Sequence, residues 1–161
     1  MDDNTDFDIK SLIGNIFSHL ESGNISDLLM PKNNEDFSDV YSLACDYYDK
    51  GLIEQAENIF RSLCLYDFSN VDYLLGLAAV KQVQKQYQKA INLYSLAINL
   101  DENNASIYLY AGQCYLYTGE KESAISSFNH CLSLACNDND REQAIHYISM
   151  LEGGLCVWKI G

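Results

Sequence analysis

Histidine and cysteine are the side chains of this sequence that could serve as nucleophiles, bases or metal ligands. There are six cysteines and three histidines. His130 and Cys131 are adjacent, but neighbours on a helix point about 100° apart, so the two side chains cannot meet. No cysteines form a C-x-x-C pair, and the histidines lack the spacing of metal ligands. We therefore predict no catalytic site, no metal and no cofactor; only an activity that depends on His130 or Cys131 would indicate an enzyme.

The elements that must position any binding residues follow from a repeat of 34 residues. Small residues and aromatics recur in register, and the aromatic always follows one helical turn after the second small residue. A 34-residue period with this pattern is typical of the tetratricopeptide repeat, a helix-turn-helix unit. We predict an all-α fold with three such repeats, at residues 37–70, 71–104 and 105–138, in a right-handed superhelical array. The recurring triplets are Ala56, Ala90 and Ala124; Phe60, Tyr94 and Phe128; and Ala44, Ala78 and Gly112.

Turn residues separate the predicted helices. Gly51 and Gly119 occupy equivalent positions, where a left-handed backbone ends a helix, whereas Lys85 takes that position in the middle repeat and predicts a less standard turn. The proline that usually closes such a repeat is absent. Capping and turn residues must replace it: Asp67, Ser69 and Asn70 after the first repeat, and Asp101, Asn103 and Asn104 after the second.

The regions outside the repeats are predicted to be helical as well. Residues 1–36 combine an acidic tail with an amphipathic helix at about residues 9–21, which either caps the first repeat or packs on a second subunit. Residues 139–161 contain a capping helix, from about Asp140 to Glu152, that Gly153 and Gly154 end. We have no interpretation of residues 155–161. The candidate dimer contacts are Ile13, Ile16, Phe17 and Leu20.

Composition narrows the class of protein. With 161 residues and 48% apolar content the chain is most simply one domain. It has neither a long apolar run nor a leader peptide, so we expect a soluble cytosolic protein with free, buried thiols. The net charge of −13 argues against nucleic acid and anionic membranes as partners. That acidity either keeps the protein soluble or favours basic partners.

The predicted first helices carry a stripe of residues suited to binding an extended peptide. In a tetratricopeptide array, positions 2, 5, 9 and 12 of each repeat line the concave side. These residues are mostly aromatic, apolar or small, and they lack the cationic side chains that would hold a terminal carboxylate. Such a stripe is either core or, because other residues already fill the core positions, a binding surface or subunit interface. Its members are Ser38, Tyr41, Cys45 and Tyr48; Asp72, Leu75, Ala79 and Gln82; and Ser106, Leu109, Gln113 and Leu116.

The sequence resembles the class II chaperones of bacterial type III secretion systems, the LcrH/SycD type. The matching stretches are VYSLACDYYDKGLIEQAENIFRSLCLYDFSNVDYLLGLAAVKQVQKQYQKAINLYSLAINL at residues 40–100 and AGQCYLYTGEKESAISSF at residues 111–128. The most specific part is FRSLCLYDFSNVDYLLGLAA, which keeps an aromatic residue, a cysteine and an aspartate where two repeats join.

The resemblance implies a chaperone in the bacterial cytoplasm that holds secreted, hydrophobic translocator proteins before export. It implies that an extended client segment lies along the concave side, and that homodimers form through the N-terminal helix. A generic tetratricopeptide interaction scaffold is the alternative. By position, the resemblance assigns the client contacts to Tyr41, Ala44, Cys45, Tyr48, Leu75, Ala79, Leu109 and Gln113.

Overall fold

The computed structural model describes the backbone of residues 37–157 and the side chains of residues 37–153. Within that part of the chain every regular element is an α-helix, which confirms the all-α prediction. The predicted N-terminal helix and the four candidate dimer contacts lie outside the described residues. The helices are α1 (Ser38–Asp49), α2 (Ile53–Tyr66), α3 (Val71–Val83), α4 (Tyr87–Leu100), α5 (Ala105–Thr118), α6 (Lys121–Ser133) and α7 (Asp138–Val157).

The chain divides into two compact units, Met1–Leu77 and Ala78–Gly161. The boundary lies inside α3 rather than in a linker. Contacts in helical repeat proteins join sequence neighbours, so compact units can follow one another without a connecting loop.

Close packing of helices in the first unit depends on small residues beside one ring. Ala44 and Ala56 are fully buried, and Phe60 is only 2% exposed. A Cβ atom added to Gly76 would lie 2.2 Å from Cε1 of Phe60, so the α3 backbone sits directly on that ring. The aromatic residue of the first repeat therefore packs against the middle of the following helix, in the space between two repeats.

In the second unit an aromatic ring packs instead against the first helix of its own repeat. Ala90, Tyr94, Ala124 and Phe128 are all buried, and a Cβ atom on Gly112 would approach Cε1 of Phe128 to 2.6 Å. Both glycine contacts place bare backbone against an aromatic ring, because no side chain fits between them.

Three turns end the first helices of the repeats, and all three use a left-handed residue. The φ angles are 75° at Gly51, 60° at Lys85 and 81° at Gly119. Our prediction of a different middle turn is therefore wrong: Lys85 adopts the conformation that glycine adopts elsewhere. The hairpin geometry requires it, and a side chain at this φ carries a steric penalty.

The junction after α2 is held by its polar residues, as predicted. Asn70 Oδ1 accepts hydrogen bonds from the backbone N–H groups of Asp72 (3.0 Å) and Tyr73 (3.3 Å), and Asp67 Oδ1 accepts one from Ser69 N–H (3.0 Å). At the next junction the N–H of Asn104 donates to the carbonyl of Asp101 at 3.4 Å, which closes the predicted turn. Asn104 precedes α5 without a side-chain capping bond, so only the predicted cap is wrong there.

The last helix is longer than predicted. α7 begins at Asp138 and continues through Gly153 and Gly154 to Val157, so the two glycines do not end it. Glycine ends a helix only where the backbone turns left-handed; otherwise it is merely a poor helix former, at a cost of about 1 kcal/mol. None of the helices in the described part of the chain is both long and apolar enough to cross a membrane.

Candidate peptide-binding surfaces

Tyr41 anchors the predicted stripe in the first unit. Its ring meets the edge of Phe60 and lies beside Tyr73, with centroid distances of 5.8 Å in both cases. Burial, assisted by the neighbouring Cys45, raises the pKa of Tyr41 to about 12. The half-buried side chain is therefore a fixed, neutral phenol that presents part of its surface.

The other predicted binding residues of the first unit differ in how far they are exposed to solvent. Cys45, Tyr48 and Leu75 are half-buried, and Asp72 is exposed, so all four are partly or fully accessible. Ala44 is fully buried, and its assignment as a client contact is wrong. It precedes Cys45 by one residue and so points about 100° away from it, into the crossing of α1 and α2.

A row of three glutamines crosses the second unit. Gln82 Nε2 donates to Gln113 Oε1 at 3.0 Å, and Gln113 Nε2 donates to Gln143 Oε1 at 3.4 Å. Tyr94 Oη donates to Gln82 Oε1 at 2.9 Å and starts the row. An amide can donate two hydrogen bonds and accept two, so these bonds leave capacity for a further partner. We call Gln82, Gln113 and Gln143 the amide row.

Gln143 was missed by sequence reasoning, although a signal was present. It follows Leu109 by 34 residues, and so occupies position 5 of a fourth first helix. We treated residues 139–161 as a cap and did not extend the register into them. α7 has two roles. It covers α5 as a capping helix, and it carries a residue at a position that corresponds to the predicted binding positions of the repeats.

Leu109 does not line a surface. It is 0% exposed and belongs to a core cluster with Ala124, Phe128, Cys131 and Ala144. The physical reason is the packing of α7 on α5, which brings Ala144 against this position. The assignment of Leu109 as a client contact is therefore wrong, whereas Ala79 and Gln113 are half-buried and partly accessible.

One buried ionisable side chain fastens α7 to α5. Asp140 is 4% exposed and accepts a hydrogen bond from Ser106 Oγ at 2.5 Å. Its backbone N–H donates to Asn137 Oδ1 at 2.9 Å, which caps the first turn of α7. Ser106 and Asp140 are one repeat apart, at position 2 of their helices. This position thus joins successive first helices at this end of the chain.

Three thiols have raised pKa values, and the histidine beside one of them points elsewhere. Burial raises the pKa of Cys64 and Cys114 to about 12 and that of Cys131 to about 11. His130 is exposed and lies against Tyr108, with ring centroids 4.2 Å apart, whereas Cys131 is buried. Within the described residues no group of three His, Cys, Asp or Glu side chains could hold a metal ion.

Comparison with known proteins identifies the repeats. Two models of the tetratricopeptide repeat match residues 38–70, 71–104 and 105–138. These matches account for most of the chain, and they agree with the helical pairs described above.

Two bacterial proteins are similar in sequence to most of this chain. The chaperone protein SicA of Salmonella dublin is 37% identical over 113 residues, which are 70% of this chain and 68% of SicA. Low calcium response locus protein H of Yersinia pestis is 30% identical over 136 residues, or 84% of this chain and 81% of that protein.

A solved structure of the same kind aligns with a TM-score of 0.66. It is the Yersinia enterocolitica type III secretion chaperone SycD in complex with a peptide of the translocator YopD. Its sequence is 32% identical, and the alignment covers 73% of this chain and 90% of SycD. SicA and SycD are chaperones, which confirms the prediction of a protein that binds rather than catalyses. This chain belongs to the tetratricopeptide-repeat chaperones of bacterial type III secretion, the family that includes SicA, LcrH and SycD.

Proposed function

We propose that this protein is a cytoplasmic chaperone that binds the hydrophobic translocators of a type III secretion system before export. The observation that carries the proposal is the SycD structure, because that chaperone of the same fold is 32% identical and holds a translocator peptide. The client is an extended segment with apolar anchors. No cofactor or nucleic acid takes part.

Side-chain anchors of the client bind to the first unit. Tyr41, Tyr48 and Leu75 offer partly exposed apolar surface, and Cys45 is a small side chain that leaves room between them. Apolar surface buried here stabilises a complex by roughly 25 cal/mol per Å² before the cost of ordering the client. Asp72 lies at the polar margin of this surface and selects against acidic client residues.

The client main chain binds to the amide row of the second unit. An extended segment has backbone N–H and C=O groups without partners, and each needs one when it leaves water. Gln82, Gln113 and Gln143 supply donors and acceptors one repeat after another, with Ala79 as the small neighbour. Because this surface hydrogen-bonds to the main chain of the client and not to its side chains, it tolerates different client sequences.

The acidic charge and neutral, apolar binding residues suit such a client. A translocator segment that enters membranes would aggregate or insert early in the cytoplasm. A carrier with a net charge of −13 remains dispersed and is repelled by anionic membrane surfaces.

The test begins with affinity capture of the full chain from its bacterium and identification of the client by mass spectrometry. Peptides tiled across the client then locate the bound segment, and calorimetry gives its affinity. Cys45→Leu fills the small position, and Leu75→Asn removes an anchor. We expect each to weaken binding at least tenfold, or about 1.4 kcal/mol, with helix content unchanged.

Leu65→Asn is the matched control, since Leu65 is exposed on α2 and lies outside the predicted stripe. We expect it to bind like the wild type. If Cys45→Leu and Leu75→Asn also bind like the wild type, the client does not contact the first unit. If the chain forms large assemblies by light scattering and captures no translocator, it is a scaffold instead.

Homodimerisation is part of the same proposal, through Ile13, Ile16, Phe17 and Leu20. Ile16→Asp with Leu20→Asp should convert a dimer to a monomer in sedimentation analysis. A sedimentation coefficient that these changes leave at the dimer value would remove the N-terminal helix from the interface.

A further inference from the structure

The last repeat carries two cysteines at positions where the other two repeats carry no thiol. Cys131 and Cys136 are five residues apart, and Ala97 and Glu102 occupy the same positions one repeat earlier. Cys136 also takes the place of the proline that usually closes a repeat. The pair therefore belongs to this repeat alone among the three.

The fold brings the two cysteines together. Cys131 is fully buried near the end of α6, in the core cluster against which α7 packs, and Cys136 packs against the same cluster from the connector between α6 and α7. The two thiols hydrogen-bond to each other. Burial is the main cause of the raised pKa of Cys131, about 11, and the charge and hydrogen bond of Cys136 add to it.

Two consecutive turns fold the connector back on the end of α6. The N–H of Leu134 donates to the carbonyl of Cys131 at 3.3 Å, and the N–H of Cys136 donates to the carbonyl of Leu134 at 2.9 Å. A disulfide forms without rearrangement of the backbone only where two cysteines already lie close together with their side chains directed at one another. The turns and the contact between the thiols provide that arrangement.

The two thiols differ in their access to solvent. Cys131 is 0% exposed, whereas Cys136 is half-buried. A reagent in solution therefore meets Cys136 first, and Cys131 lies behind it. Pairs of cysteines that respond to oxidants combine an accessible thiol with a second thiol that resolves the first product. Cys136 and Cys131 are suited to these two roles.

We propose that Cys131 and Cys136 form a reversible disulfide by exchange with a low-molecular-weight disulfide. Cys136 loses its proton and attacks one sulfur of the small disulfide, whose S–S bond breaks and whose other half leaves as a thiol. Cys131 then loses its proton and attacks the sulfur of Cys136, and the second half leaves as a thiol. Two protein thiols are oxidised to one disulfide, and the small disulfide is reduced to two thiols.

The disulfide would fasten the start of α7 to α6. Asn137 follows Cys136 directly, and its Oδ1 accepts a hydrogen bond from the N–H of Asp140 at 2.9 Å in the first turn of α7. A bond from Cys136 to the buried Cys131 would fix this capping residue to the core, so α7 should open less often. The inference concerns chemistry within the free chain and is independent of the proposed function.

The test exposes the native full-length protein to oxidised glutathione, alkylates the remaining thiols under denaturing conditions, and digests with trypsin. Residues 122–141 form one tryptic peptide, which contains Cys131 and Cys136 and no other cysteine. We expect mass spectrometry to find this peptide without alkyl groups and two hydrogen atoms lighter than its reduced form. Dithiothreitol should reverse the change.

The chain supplies matched control thiols. Burial also raises the pKa values of Cys64 and Cys114, but without a contribution from a second thiol, and each lies in a different tryptic peptide. Because they have no resolving partner, we expect them to be alkylated after the exposure. Oxidation should also slow amide hydrogen exchange in α7 by about tenfold and leave exchange in α4 unchanged.

Two variants separate the steps. Cys131→Ala preserves a small apolar side chain in the core and should stop the reaction at the mixed disulfide, so the peptide gains one glutathione on Cys136. Cys136→Ser should leave Cys131 alkylated, because glutathione cannot reach it. In the wild type, closure of the mixed disulfide should quicken about tenfold per pH unit between pH 7 and 9, since the pKa of the attacking Cys131 is about 11.

Three results would overturn the proposal, and all can be obtained from the wild-type protein. Peptide 122–141 could carry two alkyl groups after the exposure. Glutathione could accumulate on Cys136 and remain there, which would mean that Cys131 does not attack it. A disulfide could instead join this peptide to a different cysteine-containing peptide, which would assign Cys136 another partner.

Discussion

Replacing Gly76 by alanine should destabilise the protein by about 2 kcal/mol. The new Cβ would lie 2.2, 2.5 and 2.6 Å from Cε1, Cδ1 and Cζ of Phe60, whereas carbon atoms in favourable contact are about 3.5–4.0 Å apart. The ring is only 2% exposed and cannot turn into solvent. Overpacking of this kind costs about 1–3 kcal/mol, and so close an approach belongs at the upper end.

A gain partly offsets this cost. Alanine is a better helix former than glycine by about 1 kcal/mol, so a penalty near 3 kcal/mol leaves the net loss stated above. For a chain of this length that corresponds to a fall in Tm of about 4–8 °C, measured by far-ultraviolet circular dichroism.

Gly153→Ala is the matched control, because no atom lies within 4 Å of its added Cβ and the residue is helical. We expect it to be stabilising, so the two changes should have opposite signs. Phe60→Leu should recover part of the loss in the Gly76→Ala background, as a double-mutant cycle would reveal. A neutral or stabilising Gly76→Ala would refute the contact between this backbone and the ring.

Three further predictions concern the turns, the last helix and the thiols. Lys85→Gly should stabilise the protein by up to about 1 kcal/mol in thermal denaturation, because glycine relieves the steric cost of φ 60°. Ser106→Ala should cost about 1–3 kcal/mol, because the buried Asp140 carboxylate loses its donor; hydrogen exchange should quicken in α7 first. Cys64 and Cys114, whose pKa values burial raises to about 12, should react with thiol reagents at pH 8 roughly a thousandfold more slowly than a thiol of ordinary pKa. Since these pKa values exceed those of the unfolded chain, their contribution to stability is complete below about pH 9 and is lost as the pH rises toward 12.

Each of these three predictions has a control measurement on the same protein. Gly51→Lys should mimic Lys85 and destabilise, since it places a side chain at φ 75°. Ser62→Ala should be nearly neutral, because Ser62 bonds only the carbonyl of Asn58 in its own helix. Denatured protein should lose the protection of both thiols. Contrary results would mean, respectively, that the turn is unstrained, that Asp140 is solvated, or that the thiols are accessible.

The repeating pattern determined the fold class from the sequence alone. A 34-residue register with small residues at Ala56, Ala90 and Ala124 has few physical solutions, because close helix crossings demand small side chains and one aromatic fills each space. The prediction that the chain binds rather than catalyses was equally accessible, since no pair of its histidines and cysteines could meet on a helix.

The tertiary structure decided which residues of a helix are available to a client. Leu109 follows Leu75 by one repeat, yet it is buried where Leu75 is half-exposed, because α7 packs against α5. The same packing of α7 on α5 brings Gln143 into the amide row. Lys85 adopts the left-handed backbone conformation that glycine usually adopts, because its hairpin requires that turn. Periodicity determines the face on which a side chain lies, whereas exposure depends on what packs against that face, and only the folded chain supplies that neighbour.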